Sequence, residues 1–139
     1  GAAMSPETAA ALPAMLGPQD VFAEPDHVIE AGDGMELNLA GVHVTVRHAP
    51  GHTVGSVMYE VSDHRPTVVS GDVLFAGSIG RTDLPGGSAQ DMATSLLTVV
   101  LPMHDDTIVL PGHGPSTTIA AERASNPYLL RLAQGMSLM

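Results

Sequence analysis

The middle of the chain alternates between apolar and polar positions, a pattern typical of β-strands. From Asp33-Gly34 onward, apolar residues recur at every second position, namely Met35, Leu37, Leu39, Val42, Val44 and Val46. This period of two places them on one face of two strands, and Ala40-Gly41 between them predicts the turn of a β-hairpin. A similar alternation at residues 57–61, a turn at 63–66 and a short apolar run at 67–70 extend the predicted sheet.

A helical pattern replaces the alternation after residue 87. Ser88-Ala89-Gln90-Asp91 resembles a capping box, in which the first side chain accepts a hydrogen bond from the backbone of the fourth residue. The residues expected on the buried face of this helix, before Pro102 ends it, are Met92, Leu96, Leu97 and Val100. Residues 107–110 predict the last strand, residues 117–123 the start of another helix, and Asn126-Pro127 a terminal helix that Gly135 ends.

This order of elements predicts an α/β (α+β) domain over residues 33–139, with at least one helix packed on the sheet. Residues 1–32 are expected to form a separate N-terminal helix and loop segment. Its helix begins at Ser5-Pro6-Glu7, with serine as the N-cap, and Pro13 and Gly17-Pro18 limit its length. We interpret Gly1-Ala2-Ala3, which precede Met4, as a cloning remnant.

Charge and composition exclude several classes of partner. The chain carries 15 Asp and Glu residues against 5 Lys and Arg, which gives a net charge of −10. Nucleic acids and anionic membranes attract cationic patches, so neither is expected as a partner. The sequence has no apolar run of about 18 residues and no signal-peptide pattern, and we expect a cytoplasmic protein.

Three segments each end an apolar run with a possible metal ligand beside glycine. They are Pro50-Gly51-His52, Gly71-Asp72 and Pro111-Gly112-His113. A histidine or carboxylate at the end of a buried strand is costly to desolvate without a partner, and a divalent cation is one such partner. Strand ends collect at one edge of layered α/β proteins, so we expect these three side chains to converge. The chain has no cysteine, so imidazole and carboxylate would hold Zn, Fe, Mn or Co.

Arg81 and His48 each allow a functional and a structural interpretation. Arg81 is the cationic candidate for binding an anionic group of a substrate; alternatively, it pairs with Asp83 and rigidifies the loop. His48, four residues before His52, fits a place beside the site or a half-buried position bonded to backbone, and we favour the second. The histidines expected at the surface are His27, His43, His64 and His104.

Four segments of this sequence resemble the metallo-β-lactamase superfamily, and most of all its glyoxalase II-like (hydroxyacylglutathione hydrolase-like) branch. The segments are His48-Ala49-Pro50-Gly51-His52-Thr53, Gly71-Asp72-Val73-Leu74-Phe75, Gly80-Arg81-Thr82-Asp83-Leu84-Pro85-Gly86-Gly87 and Leu110-Pro111-Gly112-His113-Gly114-Pro115. Their order and spacing match the family from about Asp33 to Tyr128.

The resemblance implies a fold, a metal centre and a reaction. The fold is an αββα sandwich with mixed, mostly antiparallel sheets and helices on one face of each, of which residues 33–139 would be the C-terminal portion. His52 would bind the first of two metals, Asp72 would bridge both and orient the attacking water, and His113 would bind the second. Zinc is the expected metal, with iron or manganese as alternatives. The implied substrate is a small thioester such as an acyl-glutathione.

The family motif T-H-x-H-x-D-H, which supplies the remaining metal ligands, is absent from this sequence. We therefore expect metal binding by this chain to be incomplete or absent, and the chain alone to be inactive. A sheet without its other half exposes an edge and an apolar face. The expected partner is the missing N-terminal half, a swapped copy or another copy in a homo-oligomer.

Two alternatives to a hydrolase stay open. A mononuclear-iron persulfide dioxygenase-like protein resembles the same segments, and there His52 and Asp72 would be ligands while His113 would not. A non-catalytic half-domain acting in assembly would keep the three residues as relics. The metal content of the protein distinguishes these alternatives.

Overall fold

The computed structural model of the chain describes residues 30, 32–62 and 64–138. The strands are β1 (Glu36–Leu39), β2 (Val42–His48), β3 (Val57–Ser62), β4 (Thr67–Gly71), β5 (Leu74–Phe75), β6 (Ser78–Ile79), β7 (Ile108–Pro111) and β8 (Thr117–Thr118). The helices are α1 (Ala89–Ser95), which continues as a π-helical segment (Leu96–Val100), α2 (Ile119–Ser125) and α3 (Pro127–Ala133). The helix predicted near Ser5 lies outside the described residues.

The main sheet has six strands in the order β1-β2-β3-β4-β7-β8. Every pair is antiparallel except β4 and β7, which run parallel. The predicted hairpin is confirmed, because β1 pairs with β2 through a turn in which Ala40 and Gly41 both have positive φ angles, 52° and 82°. This backbone twist suits a two-residue hairpin loop. β5 and β6 form a separate hairpin between β4 and α1.

The helices cover one face of the main sheet. Strand register places Met58, Val68 and Val109 on the same face, because Glu60 pairs with Val68 and Val68 pairs with Val109. These side chains are buried in one cluster with residues of the helices, namely Met92, Leu96, Val100, Ile119, Leu129 and Leu132. Burial of this apolar surface is the main stabilising contribution to the domain. The predicted mixed, mostly antiparallel sheet with helices on one face is confirmed.

The first helix begins as the sequence predicts but buries a narrower face. The Ser88 side chain accepts a hydrogen bond from the Asp91 backbone at 3.1 Å, so Ser88 is the N-cap. Leu97, expected in the core, is 45% exposed, whereas Leu96 is fully buried. At about 100° per residue, Leu97 lies roughly 140° around the helix from Met92, off the buried face. The prediction for Leu97 was therefore wrong.

The remaining helices also have clear starts. Thr118 caps α2 by accepting from the backbone of Ala121, and the Asn126 side chain caps α3 by accepting from Tyr128 and Leu129. Pro127 stands at the first position of α3, where its missing N–H costs no hydrogen bond. Among the residues that the structure describes, none of the helices combines the length and apolarity needed to cross a bilayer.

Candidate metal centre

Asp72 stands in a tight turn directly after β4. The Ser70 carbonyl accepts from the Val73 backbone at 3.0 Å, and the buried Ser70 hydroxyl donates to the Leu74 carbonyl at 2.8 Å. Gly71 has a positive φ of 53°, a conformation that glycine adopts readily. The turn thus projects the Asp72 carboxylate beyond the end of the sheet, with 37% of the side chain exposed.

His52 contacts Asp72 from one side. Its Nε2 lies 3.4 Å from Asp72 Oδ2, and its Nδ1 lies 2.8 Å from the Arg81 carbonyl oxygen. A carbonyl oxygen only accepts hydrogen bonds, so Nδ1 must carry the proton and donate. In the neutral ring, Nε2 then presents a lone pair towards Asp72. The first helix holds the loop before His52, because the Ser95 hydroxyl donates to the Pro50 carbonyl at 2.7 Å.

His113 contacts Asp72 from the other side. Its Nδ1 lies 2.9 Å from Asp72 Oδ1, although 79% of the side chain is exposed. The Phe75 ring meets the imidazole edge-on, with centroids 6.0 Å apart. The end of β7 is tied to the end of β4, because the Gly112 backbone donates to the Gly71 carbonyl at 2.8 Å. The parallel pairing of β4 and β7 therefore brings His113 to Asp72.

Two glycines make this close approach possible. A Cβ at Gly80 would overlap the Asp72 carbonyl oxygen and lie 3.3 Å from His52 Cβ. A Cβ at Gly112 would lie 3.1 Å from Asp72 Oδ1. Glycine at these positions allows one loop to pass directly beside the Asp72 backbone and the other to pass beside its carboxylate.

The sequence prediction that His52, Asp72 and His113 converge agrees with these contacts. The three side chains lie in a row with Asp72 in the middle, however, and do not surround a common point. Each imidazole contacts a different oxygen of Asp72. Within the described ranges, no group of three or more His, Cys, Asp or Glu side chains is arranged to hold a metal ion. The chemistry of the donor set nevertheless fits a cation, because in the neutral ring the lone pair of His52 Nε2 faces a carboxylate oxygen. A positive charge between these two electron-rich atoms would stabilise the arrangement.

Arg81 is paired in the way that the structural interpretation predicts. Its Nε and Nη2 donate to the two carboxylate oxygens of Asp83 at 2.8 and 2.9 Å. The Asp83 carboxylate raises the pKa of the Arg81 guanidinium, and the hydrogen bonds from Arg81 lower the pKa of Asp83. Both side chains are exposed. The pair fixes the loop whose backbone holds His52, while leaving the guanidinium at the protein surface.

Among the described histidines, His48, His43 and His104 contact groups other than Asp72. The exposed His48 ring bonds the Val54 carbonyl at 3.0 Å, which is the backbone hydrogen bond favoured from the sequence, although the residue is not half-buried. His43 Nε2 lies 3.4 Å from Glu36 Oε1, and His104 and His64 are exposed. His27 lies outside the described residues.

Sequence reasoning missed several groups that support the site. They are the Phe75 ring, the Ser70 hydroxyl and the Arg81 carbonyl. Phe75 follows Asp72 by three residues, so its proximity could have been inferred from the quoted motif. The backbone carbonyl of Arg81 leaves no signal in a sequence.

Residues 2–113 match the metallo-beta-lactamase superfamily. The chain belongs to this superfamily. The match covers more than half of the chain and includes His52, Asp72 and His113. Membership in a metallo-hydrolase superfamily, inferred from the motifs, is thereby confirmed.

The curated relatives include proteins whose names describe a function. The chain is 48% identical over 116 residues to the probable metallo-hydrolase YqgX of Bacillus subtilis, covering 83% of this chain and 54% of the relative. It is 42% identical over 97 residues to the hydroxyacylglutathione hydrolase GloC of Haemophilus influenzae, covering 70% of this chain and 45% of the relative. This superfamily member therefore spans about half the length of the curated relatives it matches.

Solved structures agree with this assignment. The BLEG-1 B3 metallo-beta-lactamase is 40% identical with a TM-score of 0.69, covering 84% of this chain and 55% of that protein. TTHA1623, solved in a di-iron-bound form, is 36% identical with a TM-score of 0.67, covering 86% of this chain and 56% of that protein. ETHE1 from Myxococcus xanthus is 33% identical with a TM-score of 0.67, covering 73% of this chain and 45% of that protein. Members of the superfamily typically bind divalent metals.

Proposed function

We propose that this chain is part of a metal-dependent hydrolase that cleaves a small thioester or a related ester. The observation that carries the proposal is Asp72 set between two imidazoles, one of which directs its Nε2 at the carboxylate. The likeness to a hydroxyacylglutathione hydrolase supports the thioester class of substrate. The matched region is about half of that relative, so the proposal concerns a larger protein to which this chain contributes.

The three side chains would hold two divalent cations only in part. Asp72 has two oxygens and would bridge the cations, with His52 on one and His113 on the other. A catalytic zinc usually has about three protein ligands, so the remaining ligands would come from a segment that this chain does not supply. Bound divalent cations supply Lewis acidity and lower the pKa of a water molecule towards neutrality. Zinc is the favoured metal, and iron or manganese would use the same donors.

The residues of this chain would orient the reactants. The Arg81 carbonyl fixes the His52 ring so that Nε2 faces the carboxylate. Asp72 would accept a hydrogen bond from the attacking water and keep it in place. The backbone turn around Asp72, closed by the Ser70 hydroxyl, fixes the backbone from which the carboxylate extends, and the contact with His113 Nδ1 holds the carboxylate itself.

An adjoining cleft of about 410 Å³ offers room for the organic part of the substrate. It is lined by Ser78, Gly80, Arg81, Asp83, Tyr128 and Leu138, among others. The cleft shares Gly80 and Arg81 with the wall of the metal centre, so a substrate could reach both. Arg81 would bind an anionic group there by exchanging part of its contact with Asp83.

Metal titration of the chain tests the donor set. We expect wild type to bind Zn²⁺ weakly by calorimetry. Asp72→Asn and His113→Ala should each bind Zn²⁺ about tenfold more weakly than wild type, because each loses a ligand. His104→Ala is the matched control, since this exposed histidine lies next to Asp106 and away from Asp72. Equal affinity for wild type and Asp72→Asn would contradict the proposal.

Activity requires the missing ligands, so the second experiment uses a chimera. The chain is fused to the part of the Bacillus subtilis relative that it does not match, and metal content and thioester hydrolysis are measured. About two Zn or Mn per protein with hydrolysis supports the proposal. One Fe per protein with oxygen-dependent consumption of a persulfide would favour the dioxygenase alternative over the hydrolase. A chimera that folds without binding metal would favour the non-catalytic half-domain.

A further inference from the structure

Glu122 is a buried carboxylate that the proposed reaction does not use. Only 3% of the residue is exposed. Its Oε1 accepts from the Gly77 backbone at 2.7 Å and from Asn126 Nδ2 at 3.0 Å, and its Oε2 accepts from the Thr117 hydroxyl at 2.7 Å. A buried carboxylate is costly unless it is well satisfied, and these three neutral donors satisfy it.

The contacts of Glu122 are made to the tip of the β5–β6 hairpin. Gly77 lies in the turn between the two strands, with a positive φ of 79°. Asn126 also donates to the Ser78 carbonyl at 3.1 Å, while its own Oδ1 caps the last helix. Glu122 and Asn126 thus fasten the tip of the hairpin to the junction of α2 and α3.

The two ends of the same hairpin both touch His52. Asp72 precedes β5 by two residues and contacts His52 Nε2. Arg81 follows β6 by two residues, and its carbonyl accepts from His52 Nδ1. Between them, the Gly80 backbone donates to the Val73 carbonyl at 3.2 Å and closes the base of the hairpin. A shift of the hairpin would therefore move both partners of the imidazole.

We propose that Glu122 is a positioning residue for His52, acting through the β5–β6 hairpin. Glu122 fixes the tip, the hairpin carries that constraint to its base, and the Arg81 carbonyl holds His52 as the Nδ1–H tautomer with Nε2 directed at Asp72. A carboxylate suits this role because it accepts all three donors at once. The role in metal binding rests on the proposed function, whereas the control of the ring tautomer does not.

The test reads the His52 tautomer by ¹⁵N NMR of the imidazole at alkaline pH, where imidazole rings are neutral. Wild type is expected to show the Nδ1–H form. Glu122→Ala leaves the Gly77 and Asn126 donors without their acceptor, so the Nδ1–H form should give way to a mixture of tautomers, and Zn²⁺ affinity should fall about tenfold. Glu122→Gln keeps one oxygen as an acceptor and should retain the wild-type spectrum.

Two further variants separate positioning from stability. Thr118→Ala removes the cap of α2 without touching the hairpin, so it should lower the melting temperature and leave the His52 tautomer unchanged. If Glu122→Ala does not fold, Glu122→Asp provides the same test. It withdraws the carboxylate from the hairpin by one methylene group and should likewise give a mixture of His52 tautomers. A folded Glu122→Ala or Glu122→Asp protein with an unchanged His52 spectrum would overturn the proposal. Wild-type protein that shows the Nδ1–H form, together with a folded chimera that neither binds metal nor hydrolyses a thioester, would count against the proposed function alone.

Discussion

Individual residues at the metal centre are constrained more by backbone than by side-chain contacts. His52 depends on a carbonyl oxygen, and Asp72 depends on a turn built from backbone hydrogen bonds. Glycine is required where these backbones meet. Gly80 is the most demanding of these positions, because the Asp72 carbonyl occupies the space that a side chain would need.

Gly80→Ala is therefore expected to destabilise the protein by about 1–3 kcal/mol, since the overlap forces the Asp72 turn to shift. Urea denaturation measures the change in free energy of unfolding. Gly32→Ala is the matched control, because a Cβ there meets nothing within 4 Å, and its effect should stay within about 0.5 kcal/mol. Equal stability of the two variants would show that the backbone at Gly80 has room to adjust.

The residues of the site were predictable to different extents. His52, Asp72 and His113 each follow a run of apolar residues and stand beside glycine, so the sequence indicated both their chemistry and their meeting place. Glu122 was not identified, although Ile119, Glu122 and Asn126 recur at helical spacing on one buried face. A carboxylate and an amide on an apolar stripe are a signal for a buried hydrogen-bond network, distinct from the pattern of metal ligands.

At the scale of elements, the first helix shows how packing selects one of two neighbouring leucines. Leu96 is fully buried among the helices and the sheet, while Leu97 is nearly half exposed. The chain also turns more widely here, because the Leu101 backbone donates to the Leu96 carbonyl, five residues earlier. Such π-helical turns arise from local packing and have no reliable signature in sequence.

The two leucines should respond differently to truncation. Leu96→Ala removes a fully buried side chain and is expected to cost about 2–5 kcal/mol. Leu97→Ala, one residue away with the same change in volume, should cost no more than about 0.5 kcal/mol. Thermal or urea denaturation of both variants provides the measurement. A large loss of unfolding free energy for Leu97→Ala would mean that another surface covers this residue in solution.

Regular elements were easier to predict than irregular ones. The period of two along β1, β2 and β3 directly reflects the alternation of side chains between the two faces of the sheet. Ser88 and Asn126 mark helix starts by their side-chain chemistry. The β5–β6 hairpin was not predicted, because two-residue strands are too short to show a period. Its position depends on tertiary contacts with Glu122 and Asn126.

At the scale of the molecule, the sheet face opposite the helices is rich in apolar residues. Val69 on β4 pairs in register with Leu110 on β7, and they are 38% and 42% exposed. Neighbouring exposed apolar side chains on a sheet favour association with another surface. We therefore predict that the isolated chain self-associates through this face.

Light scattering at increasing protein concentration should show species larger than the monomer. Val69→Arg places a charge on the face and should shift the population towards monomer. Val54→Arg is the matched control, because Val54 is 71% exposed in a loop and should leave association unchanged. A strictly monomeric wild type at high concentration would exclude self-association.

The parallel pairing of β4 with β7 also bears on the order of folding. β1 to β4 form a meander of neighbouring antiparallel strands, each close in sequence to the next. Asp72 and His113 are 41 residues apart, and closing a longer loop costs more chain entropy. We therefore expect the meander to assemble early and the 41-residue loop between Asp72 and His113 to close later, so that the imidazole of His113 joins the carboxylate as a late event in the life of each newly made chain.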